Sequence, residues 1–421
     1  MSGNGGQGTV LVIGGGISGI TAAIEATEAG CDVIVVEKNA FVGGRVAYTS
    51  KYFPKMCPPT CGLEINLRQF RTNPHIRCLT SSVVEKIAGS AGDFKAIIKR
   101  EPRFVNEKCT LCGECVDACP VDRPDEYNLG ETTTKAIYLP FATAFPARFA
   151  IDGSVCPGTE CGKCVEACPY DAIDLGMQNE TIEVEADSVI WATGWNPPDA
   201  TLFEGYGFGE HANVVTNVMM ERYAALNGPT GGKIVKPSDG GEIESIAFVQ
   251  CAGSRDENYY EHCSGVCCMA SLKQVRMVRE QYPDARIFIF YIDIRSPGRL
   301  EDFFTVTKED EGLTLNKGKV AHITEDAATG KLTIEAEDAV SSQKITETVD
   351  MVVLATGMIP AGIGETEVEG GIETDRHGFL AGVQPQAGIF AAGVARRPAD
   401  VATSVRDATS AAMKSLKSHV E

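Results

Sequence analysis

The sequence predicts an α/β chain made of two Rossmann-type units, with a cysteine-rich module set into the first. Three observations carry this reading. A strand, a glycine turn and a helix open the chain; eight cysteines in two runs occupy residues 109–168; four more cysteines stand where a second glycine turn is expected. At 421 residues there is length for two or three domains, each with its own core. With 43% apolar and 23% charged residues the composition is globular. The net charge of −19 argues against nucleic acid or anionic lipid as a partner.

Thr9–Ile13 reads as a buried parallel strand, followed at once by Gly14-Gly15-Gly16-Ile17-Ser18-Gly19. A helix is expected to about Ala29, then a strand over residues 32–36 that ends at Glu37. The glycine pattern alone is weak and would suit an empty turn. Between a strand and a helix, with an acid closing the next strand, it is the βαβ dinucleotide fingerprint. Gly14 permits the tight turn, Gly16 lets backbone amides approach a pyrophosphate, and Gly19 allows helix and strand to pack closely. Ser18 lies on the same turn, and Glu37 can accept from ribose hydroxyls.

The two cysteine runs are Cys109-x2-Cys112-x2-Cys115-x3-Cys119-Pro120 and Cys156-x4-Cys161-x2-Cys164-x3-Cys168-Pro169. One run could be a zinc site. Two runs, each ending Cys-Pro, follow the ligand pattern of a two-cluster ferredoxin, in which the fourth cysteine of each run serves the other cluster. The expected sets are Cys109, Cys112, Cys115 and Cys168 for one [4Fe-4S] cluster, with Cys119, Cys156, Cys161 and Cys164 for the other. Such thiolates survive in a reducing compartment, so a disulfide framework is disfavoured. The lead-in MSGNGGQGTV has no basic or apolar signal region, and no 18-residue window is free of charges and turn formers. The expectation is a cytoplasmic chain without direct membrane insertion.

From about residue 244 a second dinucleotide-type unit should follow, with a first strand over 246–250. Cys251, Cys263, Cys267 and Cys268 take the place of its glycine fingerprint. Four thiols at this irregular spacing suit a third [4Fe-4S] cluster. Buried structural cysteines or a redox disulfide are the alternatives. The next segment has a helical pattern and carries Lys273, which could meet a flavin ring as its catalytic cation or could be a solvated helix lysine. Cys57-Pro58-Pro59-Thr60-Cys61 stays open between an exchangeable disulfide, supplementary ligands and packing, while Cys31 and Cys78 read as structural.

Several motifs recur in an order that resembles the glutathione and thioredoxin reductase flavoproteins. They are Gly43-Gly44-Arg45, the Ala-Thr-Gly at residues 192–194 and again at 355–357, and Gly388-Ile389-Phe390-Ala391-Ala392-Gly393. The resemblance implies FAD at the first fingerprint, with Lys38, Gly44, Arg45, Val84, Thr193, Gly194 and Gly393 completing its site. One departure is Val394, where that family usually carries an acid. In the same comparison residues 83–87, 94–99, 181–184 and 188–191 look like a β-meander that the ferredoxin module interrupts. The expected division is 1–102 FAD domain, 103–178 inserted ferredoxin module, 179–240 FAD-domain continuation and linker, 241–350 second degenerate unit, and 351–421 FAD-domain C-terminal part.

Lys135–Phe141, Asn213–Thr216, Gly228–Gly240, the Gln250–Asp256 stretch and the Cys-Cys helix are similar to the A-type flavin subunit of heterodisulfide reductases. Typical members are longer. The compact form resembles the A-type flavin subunit of the quinone-interacting membrane-bound oxidoreductase of sulfate-reducing bacteria. That resemblance implies an oxidoreductase subunit relaying electrons between a quinone-linked membrane module and a soluble redox protein. Its partners would include a second flavin/iron–sulfur subunit, and its place on the inner membrane would be reached through those partners. It also implies a link to the electron supply of adenylylsulfate reductase. A soluble heterodisulfide-reductase-like hub, with electron bifurcation open to it, is the alternative. A nicotinamide-dependent oxidoreductase is the second alternative, and the absent second glycine fingerprint argues against it.

Overall fold

The computed structural model describes residues 8–380 and 388–417; most of the Gly-rich lead-in lies outside them. The chain begins β1 (Thr9–Ile13), α1 (Ile17–Glu28), β2 (Asp32–Val36), α2 (Thr60–Thr72) and β3 (Ile76–Leu79). The first two strands are short β-branched runs, as befits strands covered on both faces. β4 (Ser82–Ser90) and β5 (Asp93–Arg100) then form an antiparallel hairpin.

The cysteine module follows, with two short helices, α3 (Glu114–Ala118) and α4 (Lys163–Ala167). Its ends are drawn together where Val105 bridges Ile173, the Asn106 amide donates to Ala172 O at 2.8 Å, and the Asp174 amide donates to Phe104 O at 2.9 Å. β6 (Glu180–Ala186) pairs antiparallel with β5 in continuous register from Arg100–Glu180 to Phe94–Ala186. The module therefore sits where a hairpin turn would be.

β7 (Ser188–Trp191) corrects the meander expectation. It leaves that sheet and pairs in parallel with β1. Asp187 makes the corner, its carboxylate accepting from the Thr9 amide at 2.6 Å. The second unit runs β8 (Val214–Thr216), α5 (Asn217–Tyr223), β9 (Ser245–Val249), α6 (Cys267–Gln281), β10 (Arg286–Tyr291), α7 (Leu300–Lys308) and β11 (Leu313–Lys317). A three-stranded meander, β12 (Val320–Glu325), β13 (Leu332–Glu337) and β14 (Lys344–Val349), leads to β15 (Met351–Leu354). The chain then returns to the first unit as β16 (Ile389–Ala391) and α8 (Val401–Lys417).

Two five-stranded parallel sheets result, ordered β16-β7-β1-β2-β3 and β8-β15-β9-β10-β11. The expected boundaries need correcting at both ends of the second unit. Residues 214–216 and 351–354 belong to its sheet: β15 pairs in parallel with β9 and β8 with β15, completing the covered centre that β9 and β10 alone would leave open.

Two buried arginines join the parts. Arg222, 1% exposed, donates to Asn128 Oδ1 in the module at 2.9 Å and to Tyr48 O in the first unit at 3.1 Å. It also stacks 4.3 Å from the centre of the Tyr127 ring. Arg103 donates to Phe149 O at 3.0 Å, Arg148 O at 2.8 Å and Ala40 O, and covers the Phe41 ring at 4.4 Å. Each guanidinium satisfies several carbonyl oxygens that would otherwise be buried without donors.

Candidate functional site

The first glycine turn is built for close approach. Gly14 has φ +107°, and a side chain there would meet Ala192 O at 2.3 Å. A Cβ on Gly19 would lie 1.8 Å from Gly14 O, so helix and turn touch backbone to backbone. Gly16 caps α1 without any side-chain bond, leaving first-turn amides free, and the nearest atom to a Cβ there is Gly44 Cα at 3.7 Å. This is an open anion cradle. The second turn closes against it: the Gly43 amide donates to Gly15 O at 2.8 Å, and a Cβ on Gly44 would lie 2.8 Å from Gly16 Cα.

Glu37 is buried beside the turn, accepting from the Gly15 amide at 2.6 Å and from both Asn39 nitrogens. Burial pushes its carboxyl upward, against the pull of those hydrogen bonds. Lys38 departs from expectation: it pairs with Glu365 at 2.9 Å on the surface. Alternation along an extended chain turns Glu37 inward and its successor outward. Arg45 donates to Trp195 O at 2.6 Å and lies over that indole. Val84 puts its side chain in the apolar core, and its carbonyl accepts from Thr366. Thr193 Oγ1 is buried with no partner beside the open Gly194. Gly393, at φ +61°, packs so tightly on Ser18 that a Cβ would meet its Oγ at 2.2 Å. Free amides, an orphaned hydroxyl and glycine clearance all fit a flavin dinucleotide. Val394 is not a polar substitute; it packs with Phe379 and Ala399 against Trp195 and Met358.

In the second unit the equivalent turn is remodelled. Cys251 and Arg255 both adopt left-handed backbone, φ 57° and 55°, a strain that non-glycine residues rarely carry. Cys251, Cys263, Cys267 and Cys268 line one cavity with Ser254, Arg255, Ser264, Asp293 and Arg295. α6 starts at Cys267, so two thiols sit in its first turn. Burial and neighbouring thiols push Cys251 up to about 11, and they also raise Cys267 and Cys268. Crowded thiols hold their protons, and iron would reverse that. Among the described residues no three His, Cys, Asp or Glu side chains converge as one metal ion requires. Lys273 is neither solvated nor free: its ammonium pairs with Glu221 at 2.7 Å and donates to Lys51 O at 2.9 Å, at the junction of the two units.

The ferredoxin module repeats itself. Gly113 and Gly162, both left-handed, open α3 and α4 just ahead of Cys115 and Cys164. Burial raises Cys115 to about 12, and the thiols that add to this are Cys109, Cys112 and Cys168. For Cys164 they are Cys156 and Cys119. These neighbours are members of the two crosswise ligand sets. Amides of Gly158 and Ala172 donate to Cys156 and Cys168 sulfurs at 3.4 Å, bonds that stabilise thiolate charge. Cys57 is half-buried, Cys61 is exposed at the start of α2, and both are free thiols. Arg103, Arg222 and Asp293 escaped the sequence reading. For the two arginines no motif exists, and Asp293 lies past the position that matches Glu37.

Residues 9–91 match the FAD dependent oxidoreductase family and 108–173 the 4Fe-4S dicluster domain. The thioredoxin reductases of T. acidophilum and Lactococcus lactis superpose with TM-scores of 0.53 and 0.53, covering 98% of this chain and 99% of theirs at 13% identity. Fold and site thus define an α/β FAD-binding flavoprotein carrying an inserted iron–sulfur module. The chain is 38% identical over 416 residues to the second A-type iron-sulfur subunit of the CoB–CoM heterodisulfide reductase of Methanopyrus kandleri, covering 96% of this chain and 63% of that one. It is 39% identical over 424 residues to the A-type subunit of the ferredoxin/F420H2-dependent CoB-CoM heterodisulfide reductase of Methanosarcina acetivorans, covering 97% and 53%. The corresponding protein of Methanocaldococcus jannaschii is 36% identical, covering 96% and 63%. The chain belongs to the family of heterodisulfide reductase A-type subunits and spans 53–63% of the length of these relatives.

Proposed function

We propose that this chain is the flavin and iron–sulfur hub subunit of a multi-subunit oxidoreductase, of the heterodisulfide-reductase type. The observation that carries the reading is the pairing of an open pyrophosphate cradle with a second turn whose glycines have given way to four thiols. FAD exchanges electrons in pairs or singly and clusters exchange them singly, so the bound groups can split and join electron pairs. This chain's residues hold them. Gly14, Gly16, Gly19 and Glu37 take the dinucleotide; the eight module cysteines take two clusters; Cys251, Cys263, Cys267 and Cys268 take a third. Lys273 is held by Glu221 where the two units meet.

The partners are other redox subunits and a soluble electron carrier. No helix among the described residues is long and apolar enough to cross a membrane. A quinone-linked placement, as in the sulfate-reducer complex, would therefore need a separate membrane subunit, and the proteins co-purifying from native extract distinguish it from a soluble hub. The direct test is metal content. Wild type should hold about twelve irons per chain. Cys267→Ser with Cys268→Ser should lose about four of them while keeping FAD and the dicluster signals. Turnover of NADH or NADPH by the isolated chain at enzymatic rates would overturn the hub reading.

A further inference from the structure

The rim of the four-thiol cavity carries charges that neither the flavin site nor the ligand sets use. Asp293 lies in the loop that follows β10. Its carboxylate is taken by two guanidinium groups: Arg255 at 2.8 Å and Arg295 at 3.3 Å, both on Oδ1. All three side chains line the cavity with the cysteines. The Cys268 thiol contacts Asp293 O at 3.7 Å, and Arg255 is carried on the same strained turn as Cys251.

Two cations and one anion leave a net positive charge against the thiols. Stability does not explain the arrangement: the Arg295 and Asp293 side chains are each 48% exposed, and exposed pairs contribute little. Charge beside a cluster does have a consequence. A thiolate-bound cluster is anionic and gains one more negative charge on reduction, so a fixed cation stabilises the reduced form more than the oxidised one.

We propose that Arg255 and Arg295, shared through Asp293, set the reduction potential of the third cluster and hold it above the value its thiolates alone would give. The proposal rests on the third-cluster reading. It makes Asp293 the anchor of a cationic rim beside the cluster. Arg255 should have the larger effect, because its side chain is 25% exposed and less screened.

The experiment is an EPR-monitored redox titration, with dithionite as reductant, on the intact holoprotein and on Arg255→Gln, Arg295→Gln, Arg295→Lys and Asp293→Asn. Arg255→Gln should lower the third cluster's ratio of reduced to oxidised form at fixed potential about tenfold, which is 59 mV for a one-electron couple. Arg295→Gln should shift the same way by less, and Arg295→Lys should restore most of that shift. Asp293→Asn, which removes an anion, should shift the other way. The dicluster and flavin potentials stay put. Arg295 is half exposed, so its variants test the idea even where Arg255→Gln does not fold. Twelve irons retained with an unmoved third potential in both glutamine variants overturns the proposal. A wild-type chain with eight irons and no third signal overturns the cluster reading instead.

Discussion

The two Rossmann units share more than their order of elements. In each, a strand leading to Ala-Thr-Gly pairs beside the first strand, and an aspartate makes the corner before it. Asp187 accepts from the Thr9 amide at 2.6 Å, and Asp350 accepts from the Ser245 amide at 2.8 Å and the Ser245 hydroxyl at 2.9 Å. Apart from the inserted module, the difference that bears on ligands lies in the turn. The first keeps Gly14, Gly16 and Gly19, whose missing side chains let backbones touch and leave helix amides open. The second starts its helix with Cys267 and Cys268, and Gly253, at φ +71°, clears the Phe203 ring, 2.1 Å from where a Cβ would be. Strands and helices hold the scaffold, while a handful of turn residues decides between phosphate and thiolate.

Substitution at Gly19 should break the first half of this comparison most severely. Gly19→Val has no room against Gly14 O, so a loss of about 3 kcal/mol or more is expected, seen as insoluble or unfolded protein. Gly16→Val, where the space is open, should instead give a folded but flavin-free chain, read from circular dichroism and the absence of the flavin band. A folded Gly16 variant with full flavin would mean that the two turns do not differ as described.

Arg222→Met tests whether the units act as one body. It leaves Tyr48 O, Asn227 O and Asn128 without their donor, and about 2–4 kcal/mol should be lost in urea unfolding. Faster proteolysis within residues 103–178 should accompany it.

Asp350→Asn probes the shared corner and should cost about 1–2 kcal/mol at neutral pH. Burial alone would raise this carboxyl, but the Ser245 and Glu244 donors and Lys331 together hold it below its usual 3.8. A depressed carboxyl stabilises the fold above the unfolded value and loses that contribution as pH falls through the folded one. The difference between wild type and variant should thus stay constant from pH 7 to 5 and shrink only below about 3.8. Lys331→Met should matter least, within about 0.5 kcal/mol, since that ion pair is long at 3.4 Å and its lysine is 41% exposed.

Local chemistry was legible in the sequence and non-local pairing was not. The glycine turn, Glu37 and the cysteine runs declare themselves because φ angles, clearance and ligand spacing are set within a few residues. β7 was misread because a single residue, Asp187, separates it from the meander strand before it. β8 and β15 fell outside the expected second unit since only a parallel sheet, assembled across long separations, brings β15 to β9 and β8 to β15. Arg222 has no signature at all: its partners outside its own unit are 94 and 174 residues away in the chain.

The register of β5 and β6 has a consequence for how such a chain can be altered. Arg100 and Glu180 face each other across the ladder, and the 79 intervening residues leave and return at a hairpin's width. A tight loop could close that gap without disturbing either strand. The wiring is thus a removable cartridge, and a shortened gene should yield a flavin-bearing protein that has lost about eight of its irons and keeps the third cluster. Of the two buried arginines, Arg222 would be left reaching for a module oxygen that had gone, and Arg103 would leave with the module.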